Sequence, residues 1–273
     1  LSAGFREIGG FGNKLHQRLQ ATSSKFPDLR ILGPNSLGII VPHLKLNATF
    51  AASTPKPGRI AFVSQSGTLC TSALDWAIQE DIGFSHFVSV GNMLEIGMAD
   101  LIDYFAEDPY TDSIILYVES ISEARQFMSA ARAITQDKPI VVYKAGRFSE
   151  SAQAAASHTG SICGVDEVYA AAFERAGIVR VFEIDDMFDC AELLARSRTT
   201  SGPRLAIITN AGGPGVVATD SLIARKGELA QLSEQTIAKL DSFLPLYWSR
   251  ANPITGRGTT VDQSSRPHGL RSL

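Results

Sequence analysis

The sequence predicts an α/β fold, in which a doubly wound, flavodoxin-like parallel sheet follows part of one domain and precedes part of a second flavodoxin-like domain. Two observations carry this prediction. Short apolar runs without polar alternation recur along the chain, and an amphipathic segment follows almost every one. Unbroken apolar strands are typical of sheets buried on both faces, and alternation with helices makes such strands parallel. With 273 residues, 44% of them hydrophobic, the chain is long enough for about two domains.

The pattern of residues 1–42 predicts that this first segment is the end of a preceding domain. It contains a helix around Leu15 and Leu19, then a short strand "RILG" over 30–33 and the turn "GPNSLG" over 33–38. The chain does not begin with Met, so we expect it to be a fragment of a longer protein.

Five strands are predicted in the next segment, residues 59–197. Between them, apolar residues recur at helical spacing, as Met98, Leu101 and Phe105 do before Asp108-Pro109 ends that helix. This number of strands, each followed by a helix, fits one flavodoxin-like domain. The predicted strands are 59–64, 84–91, 113–120, 138–146 and 178–182.

A second α/β domain opens after the linker "TTSGP" at 199–203. The stretch "RLAIITNAGGPG", residues 204–215, is a strand, a Gly-rich turn and a helix start, and it begins a unit that runs over 204–254. The polar tail 255–273 has no periodicity, so we expect it to be poorly ordered.

Composition excludes several classes of function. The net charge of −3 offers no electrostatic reason for binding nucleic acid or an anionic membrane. No apolar run reaches the roughly 18 residues of a membrane span, and no signal peptide is visible. The three cysteines, Cys70, Cys163 and Cys190, have no pairing or metal-ligand spacing, so we expect a cytoplasmic protein without a metal site.

Three Gly-containing turns follow predicted strands and are candidate anion sites. In open α/β sheets ligands gather beyond the carboxyl ends of strands, where helix starts present free N–H groups. A plain tight turn is the alternative for each, and none is a P-loop or a G-x-G-x-x-G fingerprint. Candidate phosphate-binding residues in "SQSGT" and "NAGGPG" are Ser64, Ser66, Gly67, Thr68, Gly212, Gly213 and Gly215.

His158 is the candidate nucleophile, set in the small-residue run "AAASHTGSICG" at 154–164. Neutral imidazole can attack a phosphoryl group near neutral pH and later release it. Glu119, at the carboxyl end of a buried strand, is the candidate partner that fixes the tautomer. A solvent-facing loop histidine and a helix-capping carboxylate are the alternative interpretations. The remaining histidines lack ligand spacing and are interpreted as structural: His16, His43, His86 and His268.

Seven motifs in order resemble the NDP-forming acyl-CoA synthetase family, which includes ADP-forming acetate–CoA ligase and is related to succinyl-CoA synthetase. The resemblance covers residues 1–254. The motifs are "GPNSLGII", "GRIAFVSQSGTL", "VSVGN", "IILYVES", "KPIVVYKAGR", "AAASHTGSICGVDEVYAAAFERAGIVRV" and "LPLYWSRANPI".

This resemblance implies a domain for each predicted segment. Residues 1–42 would be the remnant of a CoA-binding domain, 59–197 the ligase-type flavodoxin domain, and 204–254 the start of a second one. It implies that His158 is phosphorylated and that Glu119 positions it. The "SQSGT" and "NAGGPG" turns would begin the two helices that hold the phosphohistidine.

The resemblance also implies the reaction and its partners. An acid, CoA and ATP yield acyl-CoA, ADP and phosphate, and the thiol end of CoA approaches Gly33, Pro34 and Asn35. ATP or GTP, with Mg²⁺, would bind an ATP-grasp domain or subunit that these residues lack, so we expect an oligomer and no turnover by this chain alone. Succinyl-CoA synthetases have a Tyr where this chain has Thr71, which favours acetate or another monocarboxylate.

Two other classes of function stay open from the sequence. One is an acyl-CoA-sensing module like that fused to GNAT domains in bacterial protein lysine acetyltransferases. The other is a non-catalytic CoA- or nucleotide-binding scaffold, in which the loops bind anions only.

Overall fold

A computed structural model describes residues 3–148, 151, 165–197 and 202–256. The chain divides into two units, with the boundary between Thr199 and Thr200. No helix in the described ranges is both long and apolar enough to cross a membrane.

The first unit is built on a seven-stranded sheet with the order β2-β1-β4-β3-β5-β6-β7. The strands from β3 to β7 are parallel, whereas β1 runs antiparallel to both β4 and β2. The parallel part follows the order 2-1-3-4-5 of flavodoxin-like sheets, so the predicted fold is confirmed. The strands are β1 Gly38–Val41, β2 Leu46–Thr49, β3 Pro57–Ser64, β4 Phe84–Ser89, β5 Ser113–Val118, β6 Ile140–Lys144 and β7 Val179–Val181.

Helices cover both faces of this sheet. Successive residues of each buried strand point to opposite faces, so each face has an apolar core of its own. Val63 of β3 packs in the core under α3, α4 and α5, with Phe127 and Phe173. Its neighbour Phe62 packs in the core under α2 and α6, with Leu74 and Met187. The described helices of this unit are α1 Gly10–Ser23, α2 Gly67–Gln79, α3 Met98–Glu107, α4 Ala124–Ile134, α5 Asp166–Ala176 and α6 Ile184–Arg196.

The segment before β3 differs from the prediction. The predicted helix forms as α1, but 30–33 is not a strand. Its carbonyls are held by a loop, since the N–H of Leu94 donates to the Gly33 oxygen at 2.9 Å and that of Ile96 to the Ile31 oxygen at 3.4 Å. The strand of this region is β1 instead, which lies inside the predicted segment 1–42 yet pairs with β4 of the flavodoxin-like sheet.

The second unit begins with a strand, a Gly-rich turn and a helix, as predicted. The predicted strand is split into β8 and β9 because the N–H between them, that of Ile207, donates to the side-chain oxygen of Asn252 at 2.9 Å. β8 pairs in parallel with β10, and β9 with β11. Residues 257–273, most of the predicted tail, lie outside the described residues. The elements are β8 Arg204–Leu205, β9 Ile208–Thr209, α7 Gly212–Ala224, β10 Glu228–Leu229, α8 Glu234–Asp241 and β11 Ile254–Thr255.

Candidate active site

A small cavity lies beyond the carboxyl ends of β3, β4 and β5 in the first unit. In a sheet of this order, the gap between the first strand and the third, here β3 and β5, is the switch point where ligands bind. The cavity has a volume of about 20 Å³, and separate turns contribute its polar walls. Its lining residues are Arg6, Asn35, Gln65, Gly91, Asn92, Glu119 and Ser120.

Gln65 joins the turn after β3 to the turn after β5. Its side-chain oxygen accepts from the backbone N–H of Glu119, and from that of Ser120 at 3.0 Å. Its side-chain nitrogen donates to the Ser120 carbonyl at 2.9 Å. One amide side chain therefore ties the predicted phosphate turn to the backbone of Glu119 and Ser120. Gln65 was not predicted as a site residue.

The "SQSGT" turn leaves backbone donors open at the start of α2. The Ser64 hydroxyl is fully buried and donates to the Ser66 carbonyl at 2.9 Å, while it accepts from the Ser66 N–H at 3.0 Å. The Ser66 hydroxyl caps the helix by accepting from the Leu69 N–H at 3.2 Å. No described residue accepts from the N–H groups of Gly67 or Thr68, and the space beside Gly67 is open. Those two N–H groups can meet an anion.

The turn before α7 has the same construction. The Thr209 hydroxyl donates to the Ala211 carbonyl at 3.1 Å and accepts from the Ala211 N–H at 3.2 Å. Gly212 and Gly213 are exposed, with open space around them, as an anion site requires. Gly215 is buried instead, and a Cβ there would lie 3.2 Å from side-chain atoms of Pro253 and of Thr209. Gly215 therefore allows the helix to pack closely on the strand, and its predicted contact with phosphate stays a prediction.

The "GPN" turn contributes one side chain to the cavity. Gly33 and Pro34 are buried, and their carbonyls accept from the backbone N–H groups of Leu94 and Asn92, whereas Asn35 lines the cavity. The turn lies against Gly91, where a Cβ would come within 2.2 Å of the Pro34 oxygen. Of the three residues predicted to approach CoA, Asn35 lines the cavity, and the approach of CoA to the turn stays a prediction.

Glu119 directly follows β5, is only 7% exposed, and lines the cavity. The charge of Glu119 acts on Tyr117, two residues earlier in the sequence. Burial raises the pKa of Tyr117 to about 12, with the Glu119 carboxylate as the second cause and Tyr143 as the third. His158, its predicted partner, lies outside the described residues, so the pairing of Glu119 with His158 stays a prediction.

Arg6, Gly91 and Asn92 were not singled out from the sequence, although all three line the cavity. The motif "VSVGN" contains Gly91 and Asn92, and its Gly is the one signal that could have pointed to a close approach. Arg6 carries no such signal, since only the folded path of the chain brings it near Glu119. Among the described residues, no group of three or more His, Cys, Asp or Glu side chains is placed to hold a metal ion.

Comparison with known proteins agrees with the family resemblance. The profile of a family described as "Succinyl-CoA ligase like flavodoxin domain" matches residues 57–194. A protein of Pyrococcus furiosus named acetate–CoA ligase [ADP-forming] I subunit alpha is 42% identical over 264 residues, which cover 97% of this chain and 57% of that protein. An Archaeoglobus fulgidus protein named acetate–CoA ligase [ADP-forming] I is 41% identical over 254 residues, covering 93% of this chain and 37% of that protein.

A solved structure extends the likeness to the fold. The dinucleotide forming acetyl-coenzyme A synthetase 1 of Ca. Korarchaeum cryptofilum, in complex with phosphate and ADP, matches with a TM-score of 0.86 and 38% sequence identity. The match covers 94% of this chain and 55% of that one. The chain thus spans between 37% and 57% of the lengths of these three proteins.

Proposed function

This chain belongs to the family of the succinyl-CoA ligase like flavodoxin domain, and from that premise we propose that it is the phosphohistidine-bearing part of an ADP-forming acid–CoA ligase. The reaction joins a carboxylic acid to CoA and converts ATP to ADP and phosphate. Two relatives bear the name acetate–CoA ligase [ADP-forming], and a similar solved structure is in complex with phosphate and ADP. These names favour the ligase over a sensor or a scaffold.

One observation carries the proposal: Glu119 lines the switch-point cavity together with Gln65, which lies in the turn before α2 and accepts from the Glu119 backbone N–H. An imidazole between them would have a carboxylate on one ring nitrogen and the open N–H groups of Gly67 and Thr68 near a phosphoryl group on the other. We assign that imidazole to His158. In the second unit, the open glycines Gly212 and Gly213 begin a helix of the same construction, which is suited to an anion of the same kind.

The proposed chemistry has three steps that balance. An imidazole nitrogen of His158 attacks the terminal phosphorus of ATP, and ADP leaves with the electron pair of the broken P–O bond. A carboxylate oxygen of the acid then attacks that phosphorus, the N–P bond breaks, and its electron pair returns to the ring. Finally the CoA thiolate attacks the acyl carbon and phosphate leaves. Glu119 holds the second ring N–H throughout, and the helix-start N–H groups stabilise the phosphoryl oxygens.

CoA and the acid enter this proposal from the "GPN" side of the cavity. Asn35 faces the space where the thiol end of CoA would arrive. Thr71 is half-buried on α2, and its hydroxyl donates to the Thr68 carbonyl at 2.7 Å. As a threonine it offers no ring that could bind a second carboxylate. We therefore propose a monocarboxylic acid such as acetate as the substrate.

The nucleotide requires a partner in this proposal. Phosphorylation of His158 would take place on an ATP-grasp domain or subunit that binds ATP and Mg²⁺. The relative from Pyrococcus furiosus is itself named a subunit alpha, which supports an assembly of two kinds of chain. Unpaired Cys70 and Cys190 support a reducing compartment, the cytoplasm.

The test is to detect the phosphoenzyme. The chain is incubated with the ATP-grasp subunit and ATP labelled in the terminal phosphate, and acid-labile, base-stable label is counted on it. We expect label on the wild type and on His43→Asn, a histidine that does not line the cavity, and none on His158→Asn.

The outcomes separate the alternatives. Label that persists in His158→Asn would overturn the assignment of the nucleophile. Tight binding of acyl-CoA without any phosphoenzyme would overturn the ligase in favour of a sensor. Glu119→Gln is expected to label about 100-fold more slowly, since the ring loses the partner that orients it.

A further inference from the structure

Arg6 stands out in the cavity because one of its guanidinium nitrogens is buried without a hydrogen-bond partner. It lies in the short 3₁₀ turn Arg6–Ile8, which precedes α1. Its Nε atom is buried and makes no hydrogen bond, and its side chain makes no ion pair with any residue that the structure describes. Burial lowers the pKa of this guanidinium, with Glu7 acting in the opposite direction. A buried guanidinium N–H without an acceptor is costly unless a ligand supplies one.

The backbone around Arg6 is fixed, so the side chain is held at the cavity. The neighbouring Glu7 carboxylate accepts from the N–H groups of Gly4 at 2.6 Å and of Phe5 at 3.0 Å, and from the side-chain nitrogen of Asn92 at 2.6 Å. Burial raises the pKa of Glu7, but these hydrogen bonds together lower it by more. The pKa of Glu7 is therefore below its ordinary value, and Glu7 stays ionised. The 3₁₀ turn is thereby tied to the loop after β4, which also lines the cavity.

Two other polar side chains of the cavity, those of Gln65 and Asn92, are already engaged. Both ends of the Gln65 amide bond the turn after β5, and the Asn92 amide nitrogen bonds Glu7. Glu119 is an acid and repels an incoming anion. Among the described lining residues, Arg6 is the cation, and its guanidinium matches the planar, two-oxygen shape of a carboxylate or a phosphate.

From this arrangement we infer that Arg6 is a specificity-determining residue, which binds the carboxylate of the acid and the same group within the acyl phosphate. The inference rests on the proposed function and adds a residue and a subsite to it. When the phosphoryl group passes between acyl phosphate and enzyme, the P–O bond to the acyl oxygen breaks and the carboxylate leaves with the electron pair. Arg6 stabilises that leaving carboxylate and offsets the nearby charge of Glu119.

The experiment compares two phosphoryl donors on the same protein. Acetyl phosphate labelled in its phosphorus is given to the chain directly, and ATP labelled in the terminal phosphate is given together with the ATP-grasp subunit. Arg6→Gln and Arg6→Lys are compared with the wild type and with Arg18→Gln, a surface arginine on α1. We expect Arg6→Gln to label about 100-fold more slowly from acetyl phosphate and at the wild-type rate from ATP. Arg6→Lys should recover part of the loss, and Arg18→Gln should lose nothing.

Each result decides between the two proposals. Equal labelling of wild type and Arg6→Gln from acetyl phosphate would overturn the role of Arg6 while the phosphoenzyme stands. A loss that is equal for both donors would also overturn it, because Arg6 would then act on the nucleophile or on the fold. No label on the wild type from ATP would overturn the proposed function itself. In that case saturation-transfer NMR with acetate still tests the subsite, since a signal unchanged in Arg6→Gln would overturn it.

Discussion

Gly91→Ala should destabilise the first unit and displace the "GPN" turn. Gly91 has a φ of 53°, in the left-handed region, and a Cβ there would lie 2.2 Å from the Pro34 oxygen and 2.4 Å from the Asn35 oxygen. Both contacts are with backbone atoms, so no side chain can rotate away. The turn must move by roughly 1 Å to restore an ordinary van der Waals distance.

The magnitude follows from two contributions. Left-handed backbone costs a residue with a Cβ about 1–2 kcal/mol. Moving the turn lengthens the bonds from the N–H groups of Asn92 and Leu94 to the Pro34 and Gly33 carbonyls, now 2.8 and 2.9 Å. Each weakened buried bond costs about 1 kcal/mol, so the total loss is about 3–4 kcal/mol. For a unit of this size that corresponds to a melting temperature lowered by roughly 6–16 °C.

Thermal unfolding followed by circular dichroism measures this loss, and amide hydrogen exchange at residues 33–38 reports the displaced turn. The matched control is Gly67→Ala. Gly67 has open space beside it and begins α2, so its variant should stay within about 1 kcal/mol of the wild type. If Gly91→Ala melted within 2 °C of the wild type, or if both variants lost the same stability, the argument from close approach would be refuted.

Two further predictions concern groups away from the cavity. Burial raises the pKa of the Cys70 thiol to about 12, although hydrogen bonds from neighbouring hydroxyls oppose it, whereas half-buried Cys190 is more accessible. Peptide-level mass spectrometry after brief alkylation at pH 8 should find Cys190 modified long before Cys70, and the reverse order would contradict this burial. Burial also lowers the pKa of His86, against the opposing charge of Asp108, so the unfolded state binds the proton more readily. Stability should therefore fall as the pH drops through 6.5. The melting temperature of His86→Gln should depend less on pH between 7.5 and 5.5 than that of the wild type. An equal dependence in both proteins would exclude His86 as the cause.

The parallel strands were predictable because each is a continuous apolar run followed by an amphipathic helix. The strand predicted over 30–33 failed because its polar backbone found partners in the loop at 94–96, which no local pattern reveals. In the same way, the sequence alone assigns β1 to the preceding segment, whereas its pairing with β4 makes it part of the flavodoxin-like sheet. Local periodicity indicates what a segment can form, whereas pairing depends on residues that are distant in the sequence.

The candidate site was predictable where one segment contains the whole feature. The "SQSGT" turn was found from its own residues, and so was Glu119 at a strand end. Arg6 was missed because residues remote in the chain bring it to the cavity. For Gly215 the sequence alone does not separate close packing from anion binding, because both favour a missing Cβ, and the contact with Pro253 is seen only in the fold.

The two strand–turn–helix units share a rule that neither glycine motif expresses. In each, a hydroxyl residue at the strand end, Ser64 or Thr209, closes the turn on the residue two positions later, and the helix begins one residue after that. Because the hydroxyl is committed to the turn, the donors left for an anion are backbone N–H groups at the helix start. Side-chain chemistry therefore determines where the turn ends, and the backbone supplies the electrostatics. This division explains why turns as different as "SQSGT" and "NAGGPG" can each present backbone N–H groups at a helix start.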